Sequence, residues 1–514
     1  MRLIRIIGLA LFLAAFGLFL SLFFASEFTL TKEIFSDNVK PEHQESLLPM
    51  MEPLFGKKFG TSVSFSNTLA DAVESVNNQF RQRQQWDKVI YDDYVGGLTK
   101  ASLTGIVRDQ ALLLMILVFG VGALGALMFI LPKANLEPAG IKNNGIFFHA
   151  LNSRGWIGVL IGTLLIVFYI FLYFYDAYIV NWIVLVDPLK KWIDPNGSSS
   201  QWFLYGFLYT FAVVVMGVRM IIKYRHSRYQ IFRTISVMFF QLALAFLLPE
   251  ILVRLNQPYF DFKNMWPLDY DFFDAWHINM LTTAGGLGIF MFAWGITLFV
   301  IGVPVFVYFF GKRWYCSWVC GCGGLAETAG DPFRHLSDKS LKAWKIERWL
   351  IHGVLVFAVI MTAAVIYNFA TGTSSFLGLD TYNHLRKPYG FFIGAIFSGV
   401  VGTGFYPFMG NRVWCRFGCP LAAYLGFVQR FKSRFRITTN GGQCISCGNC
   451  STYCEMGIDV RWYAQRGQNI IRSSCVGCGV CSSVCPRGVL NLEVKDEKGR
   501  FGQPVLLGNN IESN

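Results

Sequence analysis

Cysteine is absent from the first 315 residues; all thirteen cysteines follow Tyr315. The polar segment near residues 26–108 therefore needs no disulfide, and the thiols keep reducing company. Histidine is scarce as well. Of the seven (His43, His149, His226, His277, His335, His352 and His384), only His352 falls inside an apolar run, near its end. A b-type cytochrome needs facing histidine pairs within helices, so the count argues against bis-histidine haem. Charge is sparse: 15% of residues are charged against 54% hydrophobic, with a mean hydropathy of +0.42. That balance excludes a soluble globular protein. No P-loop, dinucleotide fingerprint or H-E-x-x-H occurs, so nucleotide-driven pumping and zinc proteolysis have no support.

What is present is long apolar runs. They lie at about Ile6–Ala25, 110–131, 156–177, 202–222, 234–254, 286–310, 349–369 and 390–409, each long enough to cross a bilayer. The expected fold class is a polytopic α-helical membrane protein of about eight helices with a C-terminal α+β, double-cluster ferredoxin-like domain. The first run follows Arg2 and Arg5 and is read as an anchor, because it is long and Phe23 poorly fits a small-residue cleavage site. Residues 26–108 form an extracytoplasmic domain with a helical middle, Leu69–Trp86. Residues 109–435 form the membrane part, 436–495 the ferredoxin domain and 496–514 a tail. Alternation puts the loop Lys223–Arg228, the segment after Gly311 and the C-terminal domain in the cytoplasm, as the positive-inside rule asks. Lys190, Lys191, Arg386 and Lys387 then fall outside. The net charge of +13 is spread through loops, so membrane topology explains it better than nucleic acid does.

Eight cysteines share one stretch. It reads Cys444-x2-Cys447-x2-Cys450-x3-Cys454, then Cys475-x2-Cys478-x2-Cys481-x3-Cys485-Pro486. This is the bacterial ferredoxin spacing: three thiolates two residues apart wrap one cluster and the fourth serves the other. Cys444, Cys447, Cys450 and Cys485 are assigned to one [4Fe–4S] cluster, and Cys475, Cys478, Cys481 and Cys454 to the second. Gly448, Gly477 and Gly479 suit loops that approach cluster sulfurs closely. Zinc would take two C-x2-C pairs or Cys/His mixtures instead. Glu455 stands where the first run would ordinarily have proline. Lys432, Arg434 and Arg436 lead into the domain, which suits a position against a membrane face.

Two apolar runs end alike. One gives Gly311-Lys-Arg313-Trp-Tyr-Cys316-x3-Cys320-Gly-Cys322, the other Gly410-Asn-Arg412-Val-Trp-Cys415-x3-Cys419-Pro420. Paired repeats in membrane proteins often meet about a shared site. Cysteines four apart lie on one helical face, and two such pairs would make a four-thiol cage from Cys316, Cys320, Cys415 and Cys419. Such a cage suits iron, a small cluster, copper, zinc or a reversible disulfide. The plainer account is small apolar residues packing at helix ends.

The membrane part, the two C-x3-C motifs and the terminal double ferredoxin together resemble the NosR/NapH/CcoG group of membrane polyferredoxins. Cys415-Arg-Phe-Gly-Cys419-Pro420 is similar to that group's second motif; Gly321-Cys322 replaces proline in the first. The resemblance spans roughly residues 286–490. It implies electron transfer between a cytoplasmic or quinol donor and an extracytoplasmic acceptor of a respiratory reductase system, at the inner membrane. NosR-type proteins also esterify flavin to a threonine. Asp93-Tyr-Val-Gly-Gly-Leu-Thr99 is similar in outline but lacks the motif's alanine, and a turn entering a helix explains it equally, so flavin is not assigned. The expected protein is an electron-transfer component rather than a stand-alone catalyst, with redox proteins and quinone as partners. The rivals are a copper-reducing assembly factor and a relay subunit of a larger complex.

Overall fold

The computed structural model describes residues 1–136, 139 and 155–494; the expected tail, 496–514, lies outside them. Among the described residues, seven helices are long and apolar enough to cross a membrane: Arg2–Phe24, Ala111–Leu136, Trp156–Phe174, Gln201–Lys223, Arg228–Arg254, Gly286–Phe310 and Leu341–Thr371. The chain is a multi-pass membrane protein. The eighth expected run, 390–409, is helical through Gly390–Val401 and Gly402–Gly404, breaks at Phe405 and resumes only as Tyr406–Met409. It does not join the seven, because the helix stops after Gly404 and its apolar part, Gly390–Gly404, is preceded by Arg386 and Lys387.

The chain divides into two compact units, residues 1–133 with 170–208 and residues 134–169 with 209–514. In the first, helix α1 (Arg2–Ser21) packs on the helix beginning at Ala111 through facing glycines. A methyl group at Gly8 would sit 2.7 Å from the Phe129 amide nitrogen, and one at Gly125 2.6 Å from that of Phe12, the close approach that small residues allow between membrane helices. Strand β1 (Glu27–Thr29) lies between β2 (Lys58–Phe59) and β3 (Leu103–Thr104), both antiparallel to it. Phe28, opposite Phe59 and Leu103, is fully buried and stacks on Phe65 of helix α2 (Ser62–Gln82). Thr61 caps α2 by accepting from the Ser64 amide at 3.2 Å, which sets its start seven residues earlier than the hydropathy pattern does.

In the second unit the repeat becomes a pair of corners. After Phe310, Gly311 turns the chain at φ +66° into α3 (Arg313–Cys316), and α4 (Gly321–Thr328) follows. After Met409, Gly410 does the same at φ +92°, leading through a wide helical turn, Trp414–Gly418, into α6 (Pro420–Lys432). Between the copies runs α5 (Leu341–Thr371). A methyl group at Gly410 would lie 2.3 Å from Ser337 Oγ, and one at Gly311 2.7 Å from the Phe435 ring, so both corners need glycine for conformation and for space. The C-terminal region is tied by the antiparallel pair β4 (Phe435–Thr439) and β5 (Leu490–Val494), in register Phe435 to Val494 through Thr439 to Leu490. The cysteine loops hang between these strands.

Candidate redox site: three thiol-lined cavities

All thirteen cysteines are free thiols. All thirteen line three cavities, two in the ferredoxin loops and one at the repeat. The first holds Cys444, Cys447, Cys450 and Cys485. The second holds Cys454, Cys475, Cys478 and Cys481. Each run thus sends its fourth cysteine to the other run's cavity. The two runs fold alike: Gly448 and Gly479, at φ +80° and +75°, precede the short helices Asn449–Thr452 and Val480–Ser483.

The third cavity is lined by Cys316, Cys320, Cys415 and Cys419 with Tyr315, Trp414 and Leu268. The structure brings the four repeat cysteines together, but not along helical faces. Cys316 ends α3, whereas Cys320 has left the helix for extended backbone and caps α4. Cys419 likewise caps α6, its sulfur accepting from the Ala422 amide at 3.3 Å. Each pair straddles a corner, and the second thiol of each sits at a helix N-terminus, where the dipole favours a thiolate. Cys322 also lines this cavity. The sequence signal for it was its departure from the C-x3-C-P pattern.

The thiol spacing discriminates among occupants. A single tetrahedral ion with Zn–S bonds of about 2.3 Å holds its sulfurs roughly 3.8 Å apart. Among the described residues, no three of these thiols have sulfurs within 4.8 Å of one another. Among the described residues, then, no cavity gathers three sulfurs as closely as one tetrahedral ion does. Burial pushes the Cys316, Cys450 and Cys478 thiols up to about 12 and Cys475 to about 11. Ionised thiolates there call for bound metal, which deprotonates a coordinating thiol outright.

A buried chain of charges joins the second and third cavities. Arg412 donates to Cys415 Sγ at 3.6 Å and to the Cys316 carbonyl at 3.2 Å. Its guanidinium also meets Glu455 at 3.1 Å and pairs with Glu327. Glu455 in turn pairs with Arg334 at 2.9 Å, and Arg334 reaches Cys478 Sγ at 3.9 Å. Arg334, Arg412 and Glu455 are fully buried. Around them, Arg233 pairs with Glu327, and Asp331 is met by Arg219 at 2.9 Å, by Lys223 and by Arg334. Burial pushes the Asp331 carboxyl up, but these cations more than offset it and hold it well below the usual range. Five cations face three carboxylates. The surplus of positive charge at sites lined by thiols matches thiolate-ligated clusters, which are anionic. Neutral contacts close the joint: Ser317 donates to the Val476 carbonyl at 2.8 Å, Tyr229 to Gly477 at 2.7 Å, and Gln230 to Cys478 at 2.9 Å.

Sequence reasoning noted Glu455 only as a missing proline and Arg412 only as part of the repeat. The other repeat arginine does something else, lying 4.6 Å over the Phe435 ring. Thr99 is fully buried in the helix Tyr94–Ala101, its hydroxyl donating to the Val95 carbonyl at 2.7 Å.

Comparison with known proteins follows the same geometry. Residues 436–486 match the family described as a 4Fe–4S dicluster domain, and residues 287–340 and 389–438 match one described as a 4Fe–4S binding domain. The second family falls on both copies of the repeat. The chain is 29% identical over 164 residues to YccM of Escherichia coli (strain K12), a protein named for electron transport, covering 29% of this chain and 43% of that one. It is 29% identical over 166 residues to the methylamine utilization ferredoxin-type protein MauN of Paracoccus denitrificans (strain Pd 1222), covering 30% and 51%. MauN of Methylobacillus flagellatus is 28% identical over 160 residues, with the same coverage. The chain thus spans about half the length of the curated relatives it matches. No solved structure matches it. The C-terminal region is a 4Fe–4S dicluster ferredoxin region, and the chain is homologous to ferredoxin-type electron-transport proteins.

Proposed function

We propose that the protein carries electrons at a membrane through three iron–sulfur centres in series. Cys444, Cys447, Cys450 and Cys485 hold the first [4Fe–4S] cluster, and Cys454, Cys475, Cys478 and Cys481 the second. Cys316, Cys320, Cys415 and Cys419, with Cys322 beside them, hold a third centre. Bound clusters supply one-electron carriage. The chain's own residues do the rest. Apolar side chains such as Ile437, Val476 and Met456 line the second cavity and exclude water. Arg334 donates toward Cys478, Arg412 toward Cys415, and Glu455 ties the two arginines together. That continuous buried contact between the second and third cavities is the observation that carries the proposal. Hydrogen bonds to cluster sulfurs and local charge set potentials, so this chain both joins the centres and tunes them.

The positive-inside rule supports a cytoplasmic ferredoxin region at the inner membrane, with the third centre at the membrane exit. Electrons then pass between a cytoplasmic or quinol donor and an extracytoplasmic redox partner, as in the polyferredoxin group that the C-x3-C motifs resemble. The buried contact from the repeat cysteines to a ferredoxin cavity favours this over copper handling at the repeat cysteines. The test uses the full-length protein in liposomes that contain quinone, the carrier across the bilayer that three centres at one face do not supply, and that enclose a membrane-impermeant acceptor, with dithionite supplied outside. The wild-type protein is expected to reduce the trapped acceptor, and the Cys316→Ser/Cys415→Ser protein is not. Equal rates for the two would overturn the proposal.

A further inference from the structure

Beside the redox centres, the second unit holds a cavity of about 590 Å³ between the start of α5, helix α6 and the ferredoxin region. Its wall carries Lys312, Arg348, Arg430 and Arg472. Lys312 is 1% exposed, and its ammonium makes no hydrogen bond or ion pair among the described residues, only its backbone amide being engaged, by Gln429. None of the three arginines is in an ion pair there. Arg348 and Arg472 are instead held over the Trp344 ring, at 5.2 and 5.0 Å. The wall also carries two carboxylates, Glu347, which pairs with Arg416 at 2.6 Å, and Asp459, which accepts from Ser451 at 2.6 Å. Lys312 is buried, Arg472 half-buried, and Arg348 and Arg430 exposed, so cations outnumber carboxylates from the floor of the cavity to its mouth. Burying the Lys312 ammonium without a direct partner is costly, and an anion in the cavity relieves it.

The neighbouring surface says what kind. Leu341 lines the cavity and is exposed; beside the cavity's own residues in sequence, Trp349 and Leu350 follow Arg348 on the spanning helix α5, and Phe427 and Phe431 flank Arg430 on α6, all four exposed. The two helices pack against each other. A cationic cavity edged by exposed aromatic and aliphatic groups, where a span begins, combines a headgroup site with a surface for acyl chains. We propose that this cavity binds the headgroup phosphate of an acidic phospholipid, through Lys312, Arg348, Arg430 and Arg472, with its chains over Phe427 and Phe431. A zwitterionic or neutral lipid would leave the cations uncompensated. A soluble phosphate compound would satisfy them but leave the apolar surface bare.

The test uses full-length, cluster-loaded protein, delipidated in detergent and followed by native mass spectrometry. It is titrated with phosphatidylglycerol, phosphatidylcholine and inorganic pyrophosphate. One phosphatidylglycerol is expected to be retained in preference to phosphatidylcholine. Arg430→Gln and Arg472→Gln, with iron content unchanged, are each expected to weaken retention about fivefold, the effect of one basic residue at a membrane surface. Pyrophosphate binding that is lost in both variants, without phosphatidylglycerol retention, would keep the phosphate site and overturn its lipid source. Equal retention of the two lipids, or no change in either variant, would overturn the site itself.

Discussion

Removing the charge of Glu455 isolates what the buried chain contributes. The carboxylate is fully buried, 2.9 Å from Arg334, which also meets Asp331 and reaches Cys478 Sγ at 3.9 Å. Taking roughly 7 Å as its distance from the second centre, a unit charge at an effective dielectric of about 20 is worth about 2.4 kcal/mol. For a one-electron couple that is about 100 mV. A negative charge opposes a centre's gaining an electron, so Glu455→Gln is expected to raise the second centre's potential by up to about 100 mV. Arg334→Gln removes the opposite charge and is expected to lower it. EPR-monitored redox titration of anaerobic protein reads both. Breaking a buried pair also costs about 3–5 kcal/mol, so iron per chain must first match wild type. Shifts of the same sign in both variants, or none in either, would refute the electrostatic reasoning.

Four further outcomes follow from the same geometry. Cys485→Ser is expected to perturb the EPR signal of the centre held by Cys444, Cys447 and Cys450, and Cys454→Ser that of the other; the reverse pattern would contradict the crossed grouping. Gly410→Ala forces a methyl group against Ser337 at a positive φ and is expected to cost about 1–3 kcal/mol, seen as a lower thermal midpoint, whereas Gly353→Ala, in open space on α5, is not. Asp331→Asn leaves Arg219, Lys223 and Arg334 without their shared carboxylate and is expected to destabilise by about 3–5 kcal/mol. Because the Asp331 pKa is depressed on folding, its stabilisation is fully present above the ordinary carboxylate range and is lost only as pH falls below it, which an acid-unfolding curve of wild type against Asp331→Asn checks.

What could be read from the sequence was what is local. Ferredoxin spacing lies within eleven residues per run, so the eight cysteines and their crossing were legible, as were seven apolar spans. The repeat announced that Cys316, Cys320, Cys415 and Cys419 matter, but four-residue spacing suggested helical faces where the chain turns a corner. Pro420, at the first position of α6, was the overlooked sign that Cys419 precedes a helix. The run 390–409 looked like a span by length, but its helix breaks at Phe405 and leaves a shorter apolar stretch. Glu455 could not be interpreted from sequence because Arg334 and Arg412 reach it from 121 and 43 residues away. Its role exists only once the ferredoxin region packs on the repeat. Cys322 was visible as an extra cysteine where the motif has proline, and the third cavity shows what it lines.

The central claim is that the repeat cysteines hold a redox centre of their own. Iron and acid-labile sulfide per chain, measured with EPR on protein purified without oxygen, test it most directly. Two ferredoxin clusters account for about eight irons and eight sulfides. The account predicts clearly more of both, with the excess lost in Cys316→Ser/Cys415→Ser protein while the ferredoxin signals remain. About eight of each in the wild type, unchanged by those substitutions, would contradict it.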